Sequence, residues 1–281
     1  MTALYLLAIG LAGLWLVLPW YLPVLYGLLL LPIARRLISG RAGAPYWPGT
    51  RRGITALALL STATALLGIL TVWILRSRSS PQGSLELLFP LTNGTYLVAN
   101  GGRSELINAH LTTLNEPRLR AFRGQSYGVD LVKLGPLGLR ARGVIPADPA
   151  RYAIFGDKVV APCAGTVIRA EDGHVDLRPP TTDRRYLAGN HVLLECAAAW
   201  VLLGHLQRGS LQVVTGGTVK AGDALGQAGN SGNTGEPHLH IHAQRPGTRD
   251  ELFSGEPMAL RFGGWYPARN ARLTVHPPKT P

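Results

Sequence analysis

Two long runs of this chain carry no charged side chain, and they limit its fold more than any other feature. From Thr2 to Ala34, and again from Ile54 to Leu75, there is no Asp, Glu, Lys or Arg. Each run exceeds the ~20 apolar residues needed to cross a bilayer. The sequence therefore predicts transmembrane helices at 1–34 and 54–75, with room for one domain outside the membrane. Pro19, Pro23 and Pro32 predict that the first span is tilted or kinked. A cleaved signal peptide fits less well, because no basic residue precedes the run and the run is too long.

The arginines predict the orientation. Arg35, Arg36, Arg41, Arg51 and Arg52 lie between the runs, whereas only Arg76 and Arg78 follow the second. Positive flanks stay on the cytoplasmic side, so residues 35–53 are expected as a cytoplasmic loop of the inner membrane. Everything after Leu75 is then extracytoplasmic or periplasmic. Removing those seven arginines from the net charge of +12 leaves +5 for the remainder, since no acidic residue precedes Glu86. That balance suits an anionic envelope polymer or a membrane surface. Nucleic acid is not expected as a partner, since no basic helix or aromatic platform is present. Cys163 and Cys196, the only cysteines, read equally as a disulfide of an oxidising compartment or as two buried thiols.

Beyond the second run, 76–83 (RSRSSPQG) reads as a polar linker. Residues Glu86 to Ala99 alternate and break at Asn93-Gly94, a turn pair that predicts a β-hairpin. Asp130 sits between Val129 and Leu131, and a carboxylate in an apolar run is costly unless it is paired, hydrogen-bonded or metal-bound. From Arg151 onward, short apolar runs (TVIRA, HVLLEC, WVLLGHL) alternate with Gly, Pro, Asn and Asp and show no sustained helical period. The expected fold is mainly β, an antiparallel sheet or barrel-sandwich domain over 84–257. Residues 258–281 read as a loosely attached tail.

The densest chemistry lies in GQAGNSGNTGEPHLHIHAQ, residues 226–244. His238, His240 and His242 alternate with Leu239 and Ile241 at the period of an extended strand, so the imidazoles share one face. Imidazole is both a metal ligand and a proton carrier near neutral pH. His205, at the end of an apolar strand, and His110, in INAHLTT, are further candidates. His174 follows Asp172-Gly173 and reads as a turn residue. His191 can be read either way, and His242 reads as support behind a ligand. No HExxH is present, so a helical zinc site is excluded.

In combination, PHLHIHAQ preceded by GNSGNTGE, VLLGHLQRGSLQVVTGGTVKAGDALGQAG, APCAGTV and AGNHVLL resemble the lysostaphin-like (LytM-type) zinc metallopeptidases, which are peptidoglycan endopeptidases. The resemblance runs from about Leu88 to Gln244 and implies a LytM-like peptidase domain. It implies that His205 and His238 are catalytic and that His240 and Asp130 ligate Zn²⁺. The family's usual H-x-x-x-D is broken here, because Ser126 stands four before Asp130. A variant of the family with N-x-H followed by Q-x-Y-x-x-D is similar to Asn108-Ala109-His110 and Gln125 to Asp130. His110 is then the implied first ligand.

The resemblance thus implies a membrane-anchored zinc endopeptidase acting on wall peptide cross-links. The sequence leaves open a catalytically silent module of the same fold that binds wall peptides or activates a hydrolase. A membrane-tethered transport adaptor remains a third reading, though it would have no need of His205, His238 and His240 together.

Overall fold

The computed structural model describes residues 22–39 and 49–276. The chain divides into two units, 1–76 and 77–281. In the first, helix α1 (Leu22–Ser39) continues through Arg35 and Arg36, past the charge-free run. Helix α2 spans Arg51–Ser77. Among the described residues α2 is the one helix long and apolar enough to cross a bilayer. Most of the first expected span lies outside the described residues.

The second unit is built on a sheet of antiparallel strands. The strands of this unit in chain order begin with β1 (Leu85–Leu87), β2 (Gly94–Asn100), β3 (Val129–Leu134), β4 (Lys158–Val160), β5 (Gly165–Glu171), β6 (Asn190–Cys196) and β7 (Ala199–Leu206). They continue with β8 (Thr218–Val219), β9 (Ala224–Gln227), β10 (Leu239–Gln244), β11 (Pro257–Met258), β12 (Leu260–Phe262) and β13 (Arg272–Val275). The main sheet has the order β13-β2-β3-β10-β7-β6-β5-β8, with β11 on the end of β10; β4 and β9 form a separate antiparallel pair.

The central strands are buried on both faces, which is why HVLLEC and WVLLGHL read as nearly continuous apolar runs. One face packs Val98, Leu131, Val192, Leu203, Leu239 and Ile241 into the main core. The other packs Leu193, Trp200 and Leu202 against Phe253. Burying each such side chain favours folding by about 1.5–3 kcal/mol before chain entropy is counted. In β10 the alternation puts Leu239, Ile241 and Ala243 in the main core. His240 and His242 therefore turn to the opposite face.

Cys163 and Cys196 form a disulfide, with Cα atoms 5.9 Å apart.

Three sequence expectations are corrected. The hairpin across Asn93-Gly94 is not formed: β1 pairs in parallel with β12, while β2 lies between β3 and β13. Non-local pairing overrides the local turn signal there. Residues 258–275 are not a loose tail, because Leu260 and Phe262 are buried and β13 forms the sheet edge. Nor is 76–83 a free linker. The Arg78 guanidinium donates to the Arg269 carbonyl, and the Ser84 hydroxyl donates to the Pro81 carbonyl at 2.7 Å.

Candidate metal centre

Asp130 on β3 and His240 on β10 are direct cross-strand partners, so their side chains leave the sheet on one face. His240 Nδ1 lies 2.8 Å from Asp130 Oδ1. His110 reaches the same carboxylate from a short 3₁₀ turn, Ala109–Leu111, with Nε2 3.1 and 3.0 Å from its two oxygens. The N-x-H element has a structural cause. The Asn108 side chain accepts from the His110 backbone N–H at 3.2 Å and donates to the Gly102 and Gly128 carbonyls, each at 3.1 Å. Ser126 takes no part in the cluster. It is fully buried, with its hydroxyl 2.8 Å from that of Thr113.

One potential ligand atom from each of His110, Asp130 and His240 lies within 4.8 Å of the others, the one such group among the described residues. Two imidazoles and a carboxylate are donors suited to Zn²⁺. Asp130 is further fixed by the Asn100 amide, which donates to Oδ2 at 2.8 Å. Gly128 is required by the same geometry. A Cβ there would lie 2.8 Å from His240 Cε1 and 3.1 Å from His110 Cδ2. The role of this glycine has no signature in the sequence.

His205 and His238 stand beside this group. Their ring centroids are 4.7 Å apart, His205 is 5.9 Å from His240, and His238 Nε2 is 3.6 Å from Asp130 Oδ1. A carbonyl accepts from the Nδ1–H of each: Ser231 O for His205 at 2.9 Å, Glu236 O for His238 at 2.9 Å. Each ring thereby holds a proton on Nδ1, so that its neutral form presents Nε2 as the acceptor. His205 also occupies the left-handed backbone region, φ +61°, which costs about 1–3 kcal/mol and must be held by its surroundings. Its N–H donates to the Ala188 carbonyl at 2.8 Å. A second residue with no sequence signature, Arg140, grips Glu236 through Nε at 2.9 Å and Nη2 at 2.7 Å. It thereby fastens the turn that carries His238.

Burial, followed by the charges of His238 and His240, holds His205 well below the ordinary imidazole value. Burial likewise lowers His240 and holds His242 well below that value. Burial opposes the charge on His110 too, but the Asp130 carboxylate outweighs it and holds this ring above the ordinary value. For Asp130 itself burial is opposed by His110, His238 and hydrogen bonds, and the carboxyl is held well below the usual range.

The remaining histidines separate as follows. His242 is fully buried with Nδ1 3.0 Å from His240 Nε2, directly behind the ligand candidate. His174 pairs with Glu171 at 2.8 Å, an arrangement of its own rather than a solvated turn. His191 is buried on β6, away from the group around Asp130.

Residues 151–251 match the family Peptidase family M23. A comparison with curated proteins returns no match. Similar solved structures include a zinc-containing peptidase from Vibrio cholerae, 22% identical over 47% of this chain and 28% of that one, TM-score 0.29. Lysostaphin from Staphylococcus simulans is 21% identical over 44% of this chain and 40% of that one, TM-score 0.30. Its isolated catalytic domain is 18% identical over 59% of this chain and 84% of that one, TM-score 0.29. The chain spans less than half the length of the first two. The family match covers residues 151–251, with the HLH strand inside it, and supports a LytM-like metallopeptidase domain in that part of the chain.

Proposed function

We propose that the chain is a membrane-anchored zinc metalloendopeptidase that hydrolyses peptide bonds in cell-wall cross-links on the outer face of the inner membrane. The observation that carries this reading is the approach of His110, Asp130 and His240 to within 4.8 Å, with two further imidazoles alongside. His110, Asp130 and His240 would hold Zn²⁺. When bound, the ion supplies Lewis acidity and a water that ionises near neutral pH.

The protein's own groups do the rest. In their neutral forms His205 and His238 each present Nε2 as an acceptor, opposite a carbonyl-anchored Nδ1–H. Such a nitrogen accepts a proton from an attacking water and, once protonated, stabilises a developing oxyanion or returns the proton to the leaving amine. Asn100 and Asn108 hold Asp130 and His110 in place. Helix α2 supports membrane anchoring, and the arginine-rich 35–53 supports an outward-facing domain.

The test is to incubate the detergent-purified chain with purified cross-linked wall fragments and separate the products. Cleavage at peptide bonds that stops with His238→Ala is expected. Fragments left intact beside an active control enzyme would contradict the reading.

A further inference from the structure

His205 and His238 hang from one turn. The Ser231 carbonyl that accepts from His205 and the Glu236 carbonyl that accepts from His238 both belong to residues 229–236, GNSGNTGE. Three glycines in eight residues make this backbone costly to hold in one conformation. Each carbonyl therefore needs an anchor from outside the turn.

The two ends are anchored separately. At the first, the Ser231 hydroxyl donates to the Leu206 carbonyl at 2.8 Å and accepts from the Asn190 backbone N–H at 2.9 Å, with both residues fully buried. At the second, the Glu236 carbonyl also accepts from the Thr234 hydroxyl at 2.7 Å, but that bond is internal to the turn and moves with it. The outside anchor there is Arg140. Its Nε lies 2.9 and 3.0 Å from the two Glu236 carboxylate oxygens, and its Nη2 lies 2.7 Å from Oε2. A fork of this kind fixes the orientation of a carboxylate as well as pairing its charge.

Arg140 is itself held firmly. Its side chain is 7% exposed, and its carbonyl accepts from the Ala153 N–H at 2.9 Å. Ala141 forms an antiparallel bridge with Tyr152, whose ring centroid lies 5.9 Å from the guanidinium, within cation–π range.

We propose that Arg140 is a positioning residue, acting on His238 through Glu236 and leaving His205 to its own anchor. Without the fork, the Glu236 carbonyl shifts with the glycine-rich turn and carries the His238 ring away from Asp130, which its Nε2 approaches to 3.6 Å. Misplacing a reacting group by about 1 Å costs about 10²-fold in rate. Substrate contacts elsewhere are untouched, so the loss falls on kcat. The inference rests on the peptidase reading for this kinetic consequence alone.

The test uses the full chain in detergent, loaded with zinc and ¹⁵N-labelled at histidine, with the ring signals assigned from His205→Ala and His238→Ala. Arg140→Gln should shift the His238 signals and leave those of His205 in place. On wall fragments it should lower kcat about 10–100-fold, with KM and zinc content unchanged. Arg140→Lys keeps the charge but not the fork and should recover part of the loss. Arg140→Gln combined with Glu236→Gln should be no slower than Arg140→Gln alone, because the ion pair is already gone. Unmoved His238 signals, equal shifts in both histidines, a loss confined to KM, or additive losses in the double variant would overturn the proposal. If Arg140→Gln does not fold, the same spectra are read on Glu236→Gln, whose side chain is 31% exposed. Failure of the peptidase reading shows separately, as a wild-type chain that cleaves nothing, and the spectra still decide whether Arg140 holds His238.

Discussion

His242 Nδ1 stands 3.0 Å behind Nε2 of His240, the ring whose other nitrogen faces Asp130. A metal held by His240 through Nδ1 would leave Nε2–H to donate, with His242 as the acceptor that would fix that ring and its tautomer. His242→Ala is therefore expected to weaken zinc binding about 10–100-fold with the fold intact, measured by chelator competition and circular dichroism. Unchanged affinity would show that His242 only fills space.

Gly128 leaves the room that two imidazoles occupy. In Gly128→Ala the new methyl meets both His110 and His240, so one ring must move. The expected result is a cost of about 1–3 kcal/mol in urea unfolding, typical of overpacking, with a larger loss of bound metal. Retained metal at wild-type affinity would contradict the packing argument.

On the proposed mechanism, His205 and His238 move protons rather than complete the ligand set. His205→Ala and His238→Ala should each keep the metal and lower kcat about 10²–10⁴-fold, the usual range for a positioned acid or base. A variant that loses its metal would mark the residue as a ligand instead.

Acid should destabilise the metal-free chain. His191, His205, His240 and His242 are held below the ordinary imidazole value of 6.5, burial being the first cause for each. A lowered group favours the fold above its unfolded value and loses that contribution as pH falls through its folded value. His110 is raised, so its contribution is present below 6.5 and lost as pH rises through its folded value. Four lowered rings outweigh one raised ring. The midpoint of thermal unfolding should fall between pH 7 and 5, by about 2–4 °C for each kcal/mol lost. A constant or rising midpoint would contradict this.

The disulfide closes a loop with a sequence separation of 33, worth about 3.7 kcal/mol on the chain-entropy account. Reduction, or Cys163→Ser with Cys196→Ser, should lower stability by several kcal/mol without removing the metal. No loss in a denaturant titration would show that the bridge does not constrain the unfolded chain.

Much of the centre was legible because its residues sit in short-range patterns. His238-Leu239-His240 declares a strand period, and Asp130 between Val129 and Leu131 is an expensive carboxylate in an apolar run. His110 is a candidate from its context, but its place as first ligand comes only through resemblance, since a single imidazole in a 3₁₀ turn has no periodicity to read. What escaped depends on contacts far apart in the chain. Gly128 matters because of a ring 112 positions later, and Arg140 because of Glu236. Strands β12 and β13 are short and find partners at β1 and β2, at the opposite end of the domain sequence. The turn signal of Asn93-Gly94 is overridden, with Gly94 opening β2, because strand partners are chosen by burial across the whole sheet.

The central claim is that His110, Asp130 and His240 together form one metal site. Its most direct test is the zinc content of the purified full chain compared with that of His110→Ala, each with its far-ultraviolet circular dichroism recorded. The account predicts close to one zinc per wild-type chain and little or none in the folded variant. Zinc retained in folded His110→Ala, or absent from the wild type after zinc loading, would contradict it.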